Sequence, residues 1–438
     1  MIDRAAALRG RLRLPSDKSV GHRALIFNAL ADAPATIVLR RPGADLWSTA
    51  RCLRALGADV QADDQVDGAI PFRTGGDPFS SPNAPLDCRN SGTTLRLLTG
   101  ALAGIPVEAV LDGDASLRSR PMERVAAPLR AMGAAVETSN GRPPLRVAGR
   151  ARLEAREHRL EVASAQLIGA IALAALSATG TTSIESPGPT RDHTERLLAR
   201  MGVPISRTER TGRPGDGVVT TIVGPTRPRP LSIEVPGDPS AAAAWLVAAA
   251  VHPDADLELV DVCLNETRLA LVDALREMGA AVEVTVRDAA GPEVVGDVRV
   301  RSAGRLRAIR IDGPRAASLI DELPLLGVAM AAAEGTSELR DAGELRVKES
   351  DRVSATAAGL AAIGARVEEL SDGWRVARGA PREARIATRH DHRVAIAFTV
   401  AALSGVAGTV CLDDAECVDV SYPGFWEDVA LVNGTTTP

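Results

Sequence analysis

Six times along 438 residues, an Ala/Leu-rich helical stretch runs into a small-residue turn and then an alternating strand. Self-similarity of this kind dictates repeated supersecondary units built to one plan, and nothing else in the chain limits the fold as strongly. The turn-and-strand segments cover 33–38, 104–107, 180–184, 253–257, 335–339 and 408–412. In five units a second amphipathic stretch follows, closed by Gly57, Gly133, Gly202, Gly279 or Gly364 and then by another strand. Glycine just past the last helical residue is the expected left-handed cap. The sixth unit is cut short and ends in a helix near Phe425 to Val432. Each unit is a strand–helix–strand–helix–strand module of about 70 residues, too long for a solenoid of helix pairs. The length suits two globular domains of three units each, and the Arg/Pro-rich stretch 225–230 is their natural divide.

The material for these units is 45% hydrophobic but only 2% aromatic, so Ala, Leu, Val and Ile must fill the core. The net charge of −5 is interspersed, with no basic run and no aromatic-basic stripe, which argues against nucleic acid as a partner. Gly, Pro or charge breaks every Ala-rich stretch before it reaches membrane length, and the first residues carry no apolar signal segment. Five cysteines form no C-x-x-C pair and read as reduced thiols of a cytoplasmic protein.

The six first helices begin at 16–19, 90–93, 164–166, 237–240, 321–324 and 390–393, each with N-cap chemistry. Free N–H groups and the positive dipole end make a helix start a potential anion seat, so several starts facing one cleft would favour a polyanionic substrate. At 237–240 capping by Asp238 with Pro239 behind it is explanation enough. Arginines cluster near the starts: Arg23, Arg96, Arg118, Arg120, Arg191, Arg346, Arg352 and Arg393. Guanidinium forks suit phosphate and carboxylate. Among 51 basic residues only Lys18 and Lys348 are lysines, so both positions read as needing a compact, tunable ammonium, unless the arginine bias is merely compositional. If 348–352 is helical, Lys348 and Arg352 share a face at i,i+4, with Glu349 placed for proton transfer and Asp321 as a second carboxylate. His390-x-His392 is a poor metal site beside Arg393. No phosphate loop, dinucleotide fingerprint or nucleophile elbow is present, so neither a metal nor a cofactor is expected.

Taken in order, these segments resemble the 5-enolpyruvylshikimate-3-phosphate (EPSP) synthases, in their class II wording with His22 before Arg23 and Arg191-Asp192-His193-Thr194-Glu195. The resemblance runs from about Leu12 to Pro423. It implies an inside-out α/β barrel fold of two domains, each of three βαβαββ units, joined by a two-strand hinge that closes on substrate. The chain path would cross: 1–16 with 235–438 in one domain, 17–234 in the other, and hinges near 16–17 and 230–236. It implies that shikimate 3-phosphate is held by Lys18, Ser19, Arg23, Ser164, the Ala165 backbone, Gln166, Arg191, Asp321 and Lys348. Phosphoenolpyruvate would be held by Lys18, Asn90, Gly92, Arg120, Gln166, Arg352 and Arg393. Lys18, Asp321 and Glu349 would move the protons, and which of them protonates C3 stays open. A monomer acting on small molecules is implied. Departures are Val420, where many members have lysine, and Gly21, where serine is usual. Gly92 is the small residue associated with glyphosate access, with Leu97 nearby. A related enolpyruvyl transferase acting on a UDP-sugar uses a loop cysteine, which the loop ending Arg120-Pro121 lacks. A non-catalytic anion binder would need no matched acid–base set.

Overall fold

The computed structural model describes residues 1–66, 68–75, 79–210 and 217–434. They divide into two compact units: Met1–Asp17 together with the chain from Pro236 onward (unit one), and Lys18–Val235 (unit two).

The first helix of each repeat forms where its N-cap residue stands. In unit two these are α1 (Lys18–Ala29), α2 (Gly92–Ala103) and α3 (Ala165–Ala175); in unit one, α4 (Pro239–Val251), α5 (Leu323–Ala332) and α6 (His392–Leu403). Ser91, Ser164, Asp238 and Asp391 each accept a backbone N–H of the first turn. Apart from α1, which also buries His22, Arg23 and Asn28, these helices are largely apolar round their circumference, and such a helix must be enclosed. Every residue of α6 is buried, as is α4 up to Ala250. The strands, by contrast, alternate buried and open positions, as in Ala35–Arg40 and Arg142–Ala148. Helices therefore lie inside and sheets outside. The second helices end at Gly57, Gly133, Gly202, Gly279 and Gly364, all with φ between +79° and +99°, a conformation that costs other residues a Cβ clash.

Among the described residues, five sheets open with a parallel pair and continue antiparallel; the sixth is only the parallel pair Ala384–Ile386 and Val410–Leu412. In the fourth repeat the parallel partner of Ala255–Cys263 is Leu8–Arg13, in register from Leu8↔Ala255 to Arg13↔Val260. Val295–Arg301 and Ala281–Asp288 complete that sheet. In the first repeat the corresponding partner of Ala35–Arg40 is Ile233–Glu234, and Ala69–Thr74 and Val60–Ala62 follow. The chain thus lends its first strand to the fourth repeat and takes the first repeat's missing strand from residues 233–234. In unit one, Trp245 Nε1 donates to the Tyr422 hydroxyl, which donates to Asp428, each at 2.7 Å; this ties α4 to the terminal helix Phe425–Val432.

Candidate functional site

In unit two the starts of α1, α2 and α3 are tied to one another by side chains. Arg23, one turn into α1, is buried; its Nε donates to Thr194 Oγ1 (2.7 Å), one Nη to the Ser19 carbonyl (3.0 Å) and the other to the Ala165 carbonyl at the start of α3 (3.2 Å). Gln166 bridges α3 to α2: its amide donates to Thr93 Oγ1 at 2.8 Å, and its oxygen accepts Arg96 at 2.6 Å. Arg120 donates to Asn90 Oδ1 from the far end of a loop helix. A Cβ placed on Gly92 would lie 3.1 Å from an Arg120 Nη and 2.7 Å from an Arg96 Nη, so the guanidinium groups crowd the first residue of α2. Lys18 Nζ, mostly covered, donates to Asp45 Oδ2 at 3.0 Å. Beneath it, His22 Nδ1 shares a hydrogen bond with Thr49 Oγ1; Thr49 bonds Thr94, and the Thr94 hydroxyl donates to Ser91, each at 2.7 Å. Burial, aided by Lys18 and Arg23, pushes the His22 pKa well below its ordinary value, so the imidazole is neutral.

In unit one the starts of α5 and α6 surround a buried guanidinium. Arg352, 2% exposed in its side chain, grips Asp391 in a fork (2.8 and 3.1 Å), pairs with Glu349 at 2.7 Å and lies 3.7 Å from Asp321. Burial opposes its charge, but Asp391 and Glu349 hold the pKa above the usual guanidinium value. Burial would raise the Asp391 carboxyl; Arg352 more than offsets it and keeps the pKa low. Asp391 also caps α6 through Arg393 N (3.0 Å) and accepts the Ser350 hydroxyl (2.8 Å). Arg393, buried, donates to the Ser240 carbonyl at the start of α4 at 3.4 Å. Lys348 has its pKa lowered by desolvation, with Asp321 and Glu349 pulling the other way and Arg352 adding to the depression. An ammonium so placed gains most from a bound polyanion.

The model of the EPSP synthase (3-phosphoshikimate 1-carboxyvinyltransferase) family matches residues 2–429. A 3-phosphoshikimate 1-carboxyvinyltransferase of Roseiflexus castenholzii is 48% identical over 426 residues, 96% of each chain. That of Chloroflexus aurantiacus is 46% identical over 433 residues, 97% of each. The chain belongs to the EPSP synthase family. The EPSP synthase structure from Acinetobacter baumannii superposes with a TM-score of 0.84 at 36% identity, covering 99% of this chain and 98% of that one. An enolpyruvyl transferase from Streptomyces tendae, at 20% identity and a TM-score of 0.74, shares the fold.

Against the family pattern, unit two brings Ser19, Arg23, Asn90, Gly92, Arg120, Ala165 and Gln166 into contact through the bonds above, with Lys18 next to Ser19. The Ser164 hydroxyl accepts Leu167 N as the cap of α3 (3.4 Å), and Arg191 precedes the helix that carries Thr194. Unit one gathers Asp321, Lys348, Glu349, Arg352 and Arg393. Two arginines of the cluster are engaged elsewhere: Arg118 forks onto Asp112 at the surface, and Arg346 staples Asp351 to Glu369. The i,i+4 face expected for Lys348 and Arg352 does not form. A 3-10 turn (Gly343–Val347) ends in extended backbone at Lys348, and the helix begins only at Arg352. Asp351 caps that helix locally through Ser354 N, while Glu349 and Ser350 are drawn to Arg352 and to the sequence-distant Asp391. His390 is exposed and bonded to Asp414, whereas His392 is buried. Val420 ends a 3-10 turn with an apolar side chain where a family cation is common. The sequence reading missed Asp45, Thr49, Thr94 and Arg268. Their signal lies in long-range pairing, which no local motif carries.

Proposed function

We propose how this chain's residues divide the work of its family's reaction, the transfer of the enolpyruvyl group of phosphoenolpyruvate to the 5-hydroxyl of shikimate 3-phosphate. Lys18, Ser19, Arg23, Ser164, the Ala165 backbone, Gln166, Arg191, Asp321 and Lys348 hold shikimate 3-phosphate. Lys18, Asn90, Gly92, Arg120, Gln166, Arg352 and Arg393 hold phosphoenolpyruvate. The hydroxyl oxygen bonds to C2 of phosphoenolpyruvate and gives up its proton as C3 takes one, which leaves a tetrahedral ketal phosphate. C3 then loses a proton, the C2–O bond to phosphorus breaks, and phosphate departs. Asp321, Glu349 and Lys18 carry these protons. The cations stabilise charge that grows on the intermediate, and fixed donors do so best where water is excluded.

The observation that carries this reading is the setting of Asp321 and Glu349. Both carboxylates lie on Arg352, and Lys348 feels both. Simple anion binding would be better served without carboxylates in the same cluster. The free thiols, Cys52, Cys88, Cys263, Cys411 and Cys417, support a cytoplasmic setting. Among the described residues no helix is long and apolar enough to cross a membrane. We take the protein to act as a monomer on small molecules alone. The test is release of phosphate that requires both substrates. Lys18→Met and Glu349→Ala should abolish it with circular dichroism and melting unchanged; wild-type turnover by either variant would refute the assignment.

A further inference from the structure

Arg268 lies outside every motif singled out in the sequence, yet its guanidinium is 2% exposed and heavily bonded. It donates to Asp17 Oδ2 at 2.6 Å, to Asp238 Oδ1 at 3.0 Å and to Ser240 Oγ at 2.8 Å. These partners mark the two places where the chain passes between its units. Asp17 is the last residue before Lys18, and Asp238 and Ser240 follow the return at Pro236. The passages are stitched side by side: Asp17 N donates to the Pro236 carbonyl (2.7 Å) and Asp238 N to the Pro15 carbonyl (2.9 Å). Gly237 is in turn bonded on both sides to the strand Ala255–Cys263, through Asp261 (2.7 Å) and Cys263 (2.9 Å).

The hub extends to the other helix starts. The Ser240 hydroxyl donates to Glu322, the residue after Asp321, and the Ser240 carbonyl accepts Arg393. Arg268 itself ends a 3-10 turn (Glu266–Arg268) capped by Asn265, whose amide is fixed by Glu293 at 2.8 Å. Asp17 and Asp238 would repel each other in this dry setting, and Asp17 is fully buried. A planar fork satisfies both carboxylates at fixed angles; an ammonium offers no such geometry. Stability alone would be met equally well by an apolar filler in place of the ion cluster, so the cluster's distinctive product is placement.

We infer that Arg268 is a positioning residue for enolpyruvyl transfer. It fixes the peptide leading into Lys18 and, through Ser240, the starts of α5 and α6 beside Asp321 and Arg393. The inference rests on the roles proposed above for those three residues.

The experiment compares the full-length chain with Arg268→Lys, which keeps the charge and loses the fork, with Asp17→Asn, which keeps the shape and loses the charge, and with Arg268→Ala. Melting temperature is measured beside kcat and KM for both substrates, well below the melting transition. Small misplacements of reacting groups cost up to about 100-fold in rate. Arg268→Lys should therefore lower kcat by about 10- to 100-fold with KM changed less than about threefold, and millimolar guanidinium should restore part of the Arg268→Ala rate. A lowered melting temperature with kcat unchanged would overturn the inference, since a merely structural role moves only the former. Should the Arg268 variants fail to fold, kcat of Asp17→Asn decides by the same criterion. An inactive Lys18→Met beside fully active Asp17→Asn sinks this inference alone; a fully active Lys18→Met sinks the site assignment and this inference with it.

Discussion

Replacing Gly92 by alanine separates two things the first residue of α2 does. Its φ lies outside the left-handed region, so an alanine backbone fits without strain, and the intrinsic helix preference of Ala over Gly, up to about 1 kcal/mol in a helix interior, favours the change. The added Cβ would lie 2.7 Å from an Arg96 Nη and 3.1 Å from an Arg120 Nη. Ordinary contact begins near 3.5 Å, so Arg96 must retreat by about 0.8 Å and Arg120 by about 0.4 Å. Both are flexible side-chain ends, but Arg96 is anchored to Gln166 at 2.6 Å and Arg120 to Asn90. A hydrogen bond to a charged group contributes about 1.5–3 kcal/mol. If displacement forfeits half to two thirds of one such bond from Arg120 to phosphoenolpyruvate, the loss is about 1–2 kcal/mol. That corresponds to a rise in its KM of roughly 5- to 30-fold. Glyphosate competing for the same seat should weaken too. The assay is initial-rate phosphate release with phosphoenolpyruvate and glyphosate varied at saturating shikimate 3-phosphate, alongside thermal melting. Equal glyphosate inhibition and equal KM in both proteins, with melting intact, would refute the assignment of this corner to phosphoenolpyruvate.

Asp391→Ala should destabilise the fold by about 3–5 kcal/mol in urea unfolding, since it strands the buried Arg352 and uncaps α6. Because the folded Asp391 pKa is depressed, its contribution is full above the ordinary carboxyl value of 3.8 and is lost as pH falls through the lower folded one; Asp391→Asn should flatten that acid limb of the melting profile. Lys348 also has a depressed pKa, but there it is the charged form that the fold disfavours, so stability rises with pH between the depressed pKa and 10.5. Lys348→Met should therefore raise the melting temperature of the ligand-free protein while raising KM for shikimate 3-phosphate. His22 stays neutral in the fold while the unfolded chain protonates below 6.5, so stability should fall as pH drops below that value, and His22→Asn should remove that slope in melting temperature against pH.

What was legible in the sequence was what local chemistry decides. Ser91, Ser164, Asp238 and Asp391 cap the helices they precede, and the five glycines after the second helices adopt the left-handed backbone that only their missing Cβ makes easy. The sheet partners Leu8–Arg13 and Ile233–Glu234 were not legible from pattern, because a parallel neighbour is chosen by tertiary fit and strands of six and two residues carry too little pattern to name their sheet; the family resemblance alone suggested the exchange. The segment 348–352 misled for a similar reason. Helical spacing would set Lys348 and Arg352 on one face, but these like charges repel at i,i+4, and Arg352 is drawn to Asp391, 39 residues away. Arg118 and Arg346, which clustering near the helix starts does not separate from Arg120 and Arg352, are claimed by nearby carboxylates.

The charges of the two units differ in kind, and that difference bears on mechanism. At the helix starts of unit two stand Lys18, Arg23, Arg96, Arg120 and Arg191; Lys18 pairs with Asp45, and Arg23 and Arg96 donate to the neutral oxygens of Thr194, Ala165 and Gln166, which hold their direction. At those of unit one, Asp321, Glu349 and Asp391 meet Arg352, while Asp17, Asp238 and Glu322 meet Arg268. An anion gains from cations whose direction is fixed beforehand; a proton is best handled where carboxylates are held by a cation that cannot itself titrate. The arginine-for-lysine bias then has a mechanical sense. A lysine in place of Arg352 or Arg268 could shed its proton to the very carboxylates it is meant to hold, whereas a guanidinium at 352 leaves the exchange to Asp321 and Glu349, the groups we propose for it.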